Sequence, residues 1–360
     1  MNYVVSVRTK IICLVLAAGL SGCFLFTGCR FSSVEAEERN SDNESPSSII
    51  TVPDDMNSIQ LAIDSLPEAG GTIYIKPGIH MITQAIHVNR SNITIAGERG
   101  TVLKLGDGVN QPVLLLGSDD ETPTQCIKNI QIKNFGIDGN RKAQSSETDP
   151  ARPWLRNNGI DVRMVSDLWI NHVDIFDARS GGIVVSWDSK RIFIDKSSFH
   201  DNFFDGIALY ASRDIQVTNF NSYDNNAAGI SLDNQLQHVL FSNGIIKNNG
   251  SSGLFVRDST DLSFFNLMVV ANGHNDGVNF EDGCYLSHSE DSTDTLTGVT
   301  RLFFNSCSFI NNKRHGIYLD SPVSQSSKNA VVGCLFSENG GEAVKMLGAS
   351  ALSLASNIFQ

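Results

Sequence analysis

The chain has 360 residues, 41% of them hydrophobic, and carries 27 Lys and Arg against 39 Asp and Glu, a formal net charge of -12. That balance weighs against nucleic acid and against direct electrostatic binding to anionic lipid, which both need a basic surface. It counts mildly against a polyanionic substrate as well, unless basic residues gather locally.

At the N-terminus, Arg8 and Lys10 precede an apolar run, Ile11 to Leu20, that is too short to span a bilayer as a mature helix. Leu20-Ser21-Gly22-Cys23 follows and looks like a bacterial lipobox. Residues 1–22 therefore read as a lipoprotein signal peptide with Cys23 as the lipidated residue; an ordinary secretory signal is the alternative. Phe26-Thr27-Gly28-Cys29 is a second, poorer frame. Residues 23–48, rich in Ser, Glu and Asn, read as a flexible tether. The expected location is the bacterial cell envelope, with the membrane engaged through the N-terminal lipid.

The folded part, residues 49–360, opens with a strand at Ile49–Val52. Ile59, Ala62, Ile63 and Leu66 then recur at the spacing of one helix face, with Asp54 and Asp55 as the expected cap and Pro67 as the stop. Alternating strands follow around Thr72–Ile75, Ile86–Val88, Ile93–Ile95 and Val102–Leu105, and two more between Ile127 and Ile137. Residues 138–158 form a long polar interruption, expected to leave one corner of a coil as a loop.

From Gly159 the sequence repeats. Gly159, Gly182, Gly206, Gly229 and Gly253 lead successive lines, spaced 23, 24, 23 and 24 residues apart. A fixed period in this range marks a solenoid, whose exposed end the helix at Ile59 would cap. Each line holds three short apolar runs, which predicts an all-β parallel β-helix with three strands per coil. Ile175, Phe199, Tyr223, Ile246, Val269, Phe309 and Phe336 are expected to stack inside it. Asn202, Asn226, Asn249, Asn272, Asn312 and Asn339 are expected to form a structural ladder at a tight corner in the left-handed conformation. Cys126, Cys284, Cys307 and Cys334 show no zinc spacing. Cys307 and Cys334 share a repeat position, as buried free thiols or as a disulfide. Two insertions, 274–282 and 287–300, stretch the later coils. His274, Asp276, Glu281 and Asp282 in the first are residue types that bind calcium, at a spacing that matches no known calcium loop. No capping run follows Phe359, so a partner or a further segment is expected to cover that end.

The AIDSLPEAGGTIYIKPGIH opening, the NFGIDGNRKA segment and the repeats together resemble the right-handed parallel β-helix superfamily of pectate-lyase-like proteins, over residues 49–360. The order of segments looks most like the catalytic module of bacterial alginate C5-epimerases. That resemblance implies a catalytic Tyr and an Asp-Pro-His motif on the first strand of one coil. This chain has Gly181, Val184 and Ser186 at those positions, and Tyr210 where the next coil would carry an acid. Epimerase activity is therefore not expected.

In this superfamily ligands lie along the first strand of each coil. Alternation points two columns outward there: Asp161, Val184, Ala208, Ser231, Phe255, Tyr285, Tyr318 and Lys345, then Arg163, Ser186, Tyr210, Asp233, Arg257, Ser287 and Asp320. Trp187, Asp258 and His288 lie just beyond. Phe255, Tyr285 and Tyr318 read equally well as a sugar-binding strip and as cross-strand packing. For an enzyme acting on uronates, Arg257 or Arg163 would neutralise the substrate carboxylate, and Tyr210 or His288 would shuttle protons. For a hydrolase, Asp233 and Asp320 are about 14 Å apart at the sheet spacing, so Asp233 with Asp258 is the better pair. The acids and Arg257 also read as a surface charge ladder. The expected catalytic set is Tyr210, Asp233, Arg257 and His288, and the expected substrate-binding set is Arg163, Phe255, Asp258, Tyr285, Tyr318 and Asp320. The expected function is an anchored polysaccharide lyase or glycosidase; the alternative is a surface β-helix that binds glycan or protein without catalysis.

Overall fold

The computed structural model describes residues 48–275, 280–289, 298–321, 326–347 and 352–360. The signal segment, Cys23, Cys29, the tether to residue 47 and Asp276 lie outside the described residues. Among the described residues the backbone forms two sheets, of ten and nineteen strands, in which every pairing of named strands is parallel. The ten-stranded sheet stacks the first strand of each coil: Ile160–Arg163, Ile183–Ser186, Ile207–Tyr210, Ile230–Asp233, Leu254–Arg257, Cys284–Ser287 and Ile317–Leu319 are successive rungs. The second and third runs of each coil merge into the larger sheet, as in the single strand Val165–Phe176. The bend between them falls on left-handed residues in register, among them His172, Lys196, Asn219, Asn243 and Asn266.

The helix spans Ile59–Ser65 and buries Ile59, Ala62 and Ile63 over the first strands. Ser58 caps it, its Oγ accepting from Leu61 N–H at 3.3 Å. Asp54 and Asp55 are not the cap. Asp55 accepts from Thr51 N–H at 2.7 Å and Asp54 pairs with Lys76. The helix therefore closes the solenoid end with its own apolar face.

The coil interior is a continuous aromatic and aliphatic stack. Phe241 and Phe264 lie 5.7 Å apart, Phe264 and Phe304 4.5 Å, and Phe309 and Phe336 5.2 Å. The expected inward column holds except at one position. Phe199 pairs with Ser222, which pairs with Ile246, so Ser222 is the inward residue. Tyr223 faces outward and stacks on His200 at 4.6 Å.

The asparagine ladder is Asn202, Asn225, Asn249, Asn272, Asn312 and Asn339, with Asn225 in place of the expected Asn226. Asn249 Oδ1 accepts from Asn225 N–H at 3.1 Å and from Asn225 Nδ2 at 3.0 Å, and each later rung repeats the pattern. These asparagines are not the left-handed residues. That conformation falls on the residue before each of them, at Asp201, Asp224, Asn248, Ala271, Asn311 and Glu338. The leading glycines and the ladder need each other. A Cβ on Gly229 would come within 2.7 Å of Asn249 Nδ2, and one on Gly253 within 2.8 Å of Asn272 Nδ2. The repeat visible in the sequence is therefore a space requirement between neighbouring rungs.

Cys284, Cys307 and Cys334 are buried free thiols. Alternating charges pair along the second strands, where Asp167 meets Arg191 and His238 and Arg301 both reach Asp261, while the outward column holds the pair of Asp233 with Arg257.

Candidate functional site

The ten-stranded sheet carries the expected outward columns in register. Asp161, Val184, Ala208, Ser231, Phe255, Tyr285, Tyr318 and Lys345 are consecutive partners. The insertion 138–158 lies over the N-terminal end of this face. It bonds Gly108 N–H to Ala143 O at 2.9 Å near one corner, and Trp154 Nε1 to Asp119 O at 2.8 Å near the other. Leu115, the outward partner of Asp161, and Leu155 of the insertion are both fully buried. At the other end Phe280 closes over Phe255 at 5.4 Å and Tyr285 at 4.5 Å. Between these two covered ends the same outward column continues with the small residues Ala208 and Ser231, 1% and 6% exposed.

Tyr210 lies over these residues. Its hydroxyl sits 3.5 Å from Ser231 Oγ on the next rung and feels the charge of the Asp205 carboxyl. This placement folds the ring back over its own strand and explains why Ala208 is 1% exposed. Burial raises the Tyr210 hydroxyl above its ordinary range, and the charges of Asp205 and Asp233 add to the rise. Tyr210 is therefore held as a proton donor.

Two buried carboxyls flank the epimerase-equivalent rung of Gly181, Val184 and Ser186. Burial pushes Asp205 up to about 7, partly offset by Ala228 N–H at 2.9 Å and the charge of Arg156. Burial pushes Asp161 up to about 6, offset by Arg163 and by the backbone N–H of Arg156. Neither acid forms an ion pair among the described residues, so desolvation wins at both. Nearby, Asn158 Nδ2 and Asn157 Oδ1 are buried without a hydrogen-bond partner.

The expected site residues divide into groups. Asp233 and Arg257 come together as a bidentate pair, Arg257 Nε lying 3.0 and 2.9 Å from the two carboxylate oxygens, with Nη2 completing it. That bond raises the Arg257 guanidinium further. Asp233 is thus a counter-ion rather than a free base, while Nη1 of Arg257 has no protein acceptor among the described residues. Arg163 is 4% exposed and donates to four carbonyls, of Ser118, Trp154, Asp120 and Glu121. It ties loops together and is not free to meet a substrate carboxylate. Asp258 is 1% exposed and accepts from Ser289 N–H at 3.1 Å and Gly298 N–H at 2.6 Å. It joins the ends of a loop, so the pairing of Asp233 with Asp258 as hydrolytic acids does not form.

Further along, Tyr285 is 6% exposed, stacks on Phe255 at 5.9 Å and donates to Asp320. Burial and then Asp320 raise its hydroxyl well above the usual range. The rings of Phe255 and Tyr285 cover each other, which favours cross-strand packing over a sugar platform; Tyr318 stays partly exposed beside Arg314 at 5.1 Å. His288 Nδ1 lies 3.2 Å from Asp320 O, far along the sheet from Tyr210. Two of the calcium-type residues are engaged in ion pairs, Glu281 with Lys313 at 2.8 Å and Asp282 with Arg314 at 2.5 Å. Among the described residues no group of three His, Cys, Asp or Glu is arranged to hold a metal ion.

Sequence reasoning missed Asp205 and passed over Asp161. A signal existed for Asp205. The residue before each leading glycine runs Asn158, Gly181, Asp205, Ala228, Ser252, Asp282 and His315, and an acid there is one residue from the coil interior.

A family model described as a right-handed β-helix region matches residues 124–272 and 270–360. Mannuronan C5-epimerase AlgE2 of Azotobacter vinelandii is 29% identical over 231 residues, covering 59% of this chain and 22% of that protein. The preneck appendage protein of Bacillus phage PZA is 24% identical over 245 residues, covering 62% and 28%. The chain thus spans less than a third of the length of either relative. Among solved structures, the Streptococcus pneumoniae surface protein and adhesin PfbA superposes with a TM-score of 0.62 at 13% identity, over 87% of this chain and 97% of that one. Pectate lyase Pel9A gives 0.52 at 14% identity, over 83% and 74%. At these identities the structural likenesses bear on fold alone. The stacked parallel coils and the family match lead to one conclusion: the chain belongs to the right-handed β-helix family.

Proposed function

We propose that this chain acts on a uronic-acid polysaccharide laid along the outer face of the ten-stranded sheet, by β-elimination centred on Tyr210 and Asp205. The observation that carries the reading is the buried Asp205 carboxyl, raised to about 7, near a tyrosine hydroxyl that lies over Ser231 on the outer face. In the elimination Tyr210 takes the C5 proton as its own proton passes to Asp205. The C4–O bond breaks, C4 and C5 become doubly bonded, and the departing oxygen regains a proton through the same relay. Arg257 Nη1 would meet the uronate carboxylate, whose charge grows as the C5 proton leaves. Relatives named as mannuronan C5-epimerases support a polysaccharide substrate. The lipobox at Cys23 belongs to the same reading and would hold the enzyme at the cell envelope. Labelled palmitate incorporation that survives Cys23→Ser would remove the anchor at Cys23.

The chemistry is tested by incubating the protein with a panel of uronic-acid polymers and following absorbance of the unsaturated product. Asp205→Asn and Tyr210→Phe should each lower the rate by at least ~10²-fold, and the wild-type rate should rise with pH through about 7. Full activity in both variants would remove the site. A binding-only role is the second reading, favoured by the pairing of Arg257 with Asp233, which reduces the positive charge left for substrate. Retained polymer with no product from any member of the panel would select it.

A further inference from the structure

Two exposed tryptophans stand beside the ten-stranded sheet, at the rungs of Arg163 and Ser186, one to two rungs from Tyr210. Trp154 and Trp187 are each 37% exposed, and each indole also has a protein partner. Trp154 is pinned through Nε1 to Asp119 O at 2.8 Å. Its own carbonyl accepts from Arg163 Nη1 at 3.3 Å. Trp187 follows directly on the rung strand Ile183–Ser186 in a left-handed conformation, φ 60°. One face of its ring is covered by the Arg163 guanidinium, 5.5 Å from the centroid.

One buried arginine therefore fixes the carbonyl of one tryptophan and the ring of the other. A left-handed bulky residue costs energy unless the surroundings hold it. Here the surroundings hold it with an indole left partly in water. Fixing a large, rigid aromatic at the surface removes in advance the entropy that ligand binding would otherwise cost. Flat indoles with a polar edge suit the apolar face of a pyranose ring. The aromatic strip expected at Phe255 and Tyr285 cannot serve this purpose, because those rings cover each other and Phe280 covers both.

We infer that Trp187 and Trp154, organised by Arg163, form a pyranose-binding subsite adjoining the Tyr210 rung, occupied by a neighbouring sugar of the same polysaccharide. This rests on the proposed polysaccharide reading. It adds a place where the chain is held, separate from the place where it reacts.

Indole fluorescence provides the test, because the chain has three tryptophans. The third, Trp169, lies on the other sheet, stacked on Phe193 at 5.9 Å, and Trp169→Ala is the control. Full-length protein is titrated with uronate hexasaccharides while emission is followed, with thermal unfolding run on every variant. Wild type, Trp169→Ala and Asp205→Asn should show the same ligand-dependent emission change. Trp187→Ala should bind ~10- to 100-fold more weakly, as expected for a lost stacking contact of about 1–3 kcal/mol. Trp187→Phe should recover part of the affinity, which a purely structural role for the indole would not produce. Trp154→Ala should raise KM with little change in kcat. Trp187→Ala binding as wild type would overturn the subsite. So would the absence of any emission change in wild type while unsaturated product still forms, and that result would leave the Tyr210 and Asp205 reading intact. Loss of product in Asp205→Asn with unchanged emission would separate the two the other way.

Discussion

Asp205 and Asp282 hold the same place in the coil, immediately before a leading glycine, three rungs apart. Each accepts a backbone N–H from the next rung, Ala228 at 2.9 Å and His315 at 3.0 Å. They differ in what stands beside them. Asp282 is gripped by Arg314 through Nε at 2.9 Å and Nη2 at 2.5 Å. Asp205 has the Tyr210 hydroxyl and the more distant charge of Arg156. The same corner thus makes a structural ion pair in one coil and an acid that titrates near neutrality in another. The deciding element is one cation, since backbone hydrogen bonding is common to both.

The largest effect should come from removing that cation. Arg314→Met leaves Asp282 buried and unpaired and should cost about 3–5 kcal/mol in urea unfolding at pH 7. An unchanged midpoint would mean that the arginine is not what stabilises this corner.

Asp205→Asn should act in the opposite direction. The folded acid titrates at about 7 against about 3.9 when unfolded, so the folded chain binds the extra proton between those values. Its contribution is fully present below pH ~4 and is lost as pH rises through ~7. The asparagine variant, which can keep the Ala228 bond as Asn158 does with Gly181 N–H at 2.9 Å, lacks that loss. It should match wild type near pH 4 and exceed it by on the order of 4 kcal/mol at pH 8. A variant less stable than wild type at pH 8 would reverse the sign and sink the assignment.

Tyr210→Phe is milder. Losing a hydroxyl with weak protein partners should cost about 1 kcal/mol, with the titration of Asp205 moving upward once its donor is gone. Smallest of all, Arg301→Ala breaks an exposed, solvent-screened pair with Asp261 and should leave the unfolding midpoint almost unchanged. A larger loss there would show that the surface ladder is cooperative.

The fold was legible because its period is a steric demand. Leading glycines clear space for the ladder amides, and the phenylalanines recur at the inward positions. Single-residue slips, Tyr223 for Ser222 and Asn226 for Asn225, arose because that coil is one residue shorter between marks. The outward columns were legible too, since alternation along a strand fixes them. Their chemistry was not. Pairing of Asp233 with Arg257, enclosure of Arg163 and anchoring by Asp258 depend on neighbouring rungs and on loops that sequence spacing does not locate. Asp205 was hidden for a related reason: an acid beside a glycine reads as a turn residue until the next rung covers it.

The most direct test follows the Asp205 carboxyl itself. Carbon-13 spectra of Asp-labelled protein, with Asp205→Asn used to assign the resonance, report its titration without requiring a substrate. A midpoint near 7 is the predicted result. A midpoint in the ordinary carboxylate range, near 4, would contradict the claim that this buried acid is poised behind Tyr210.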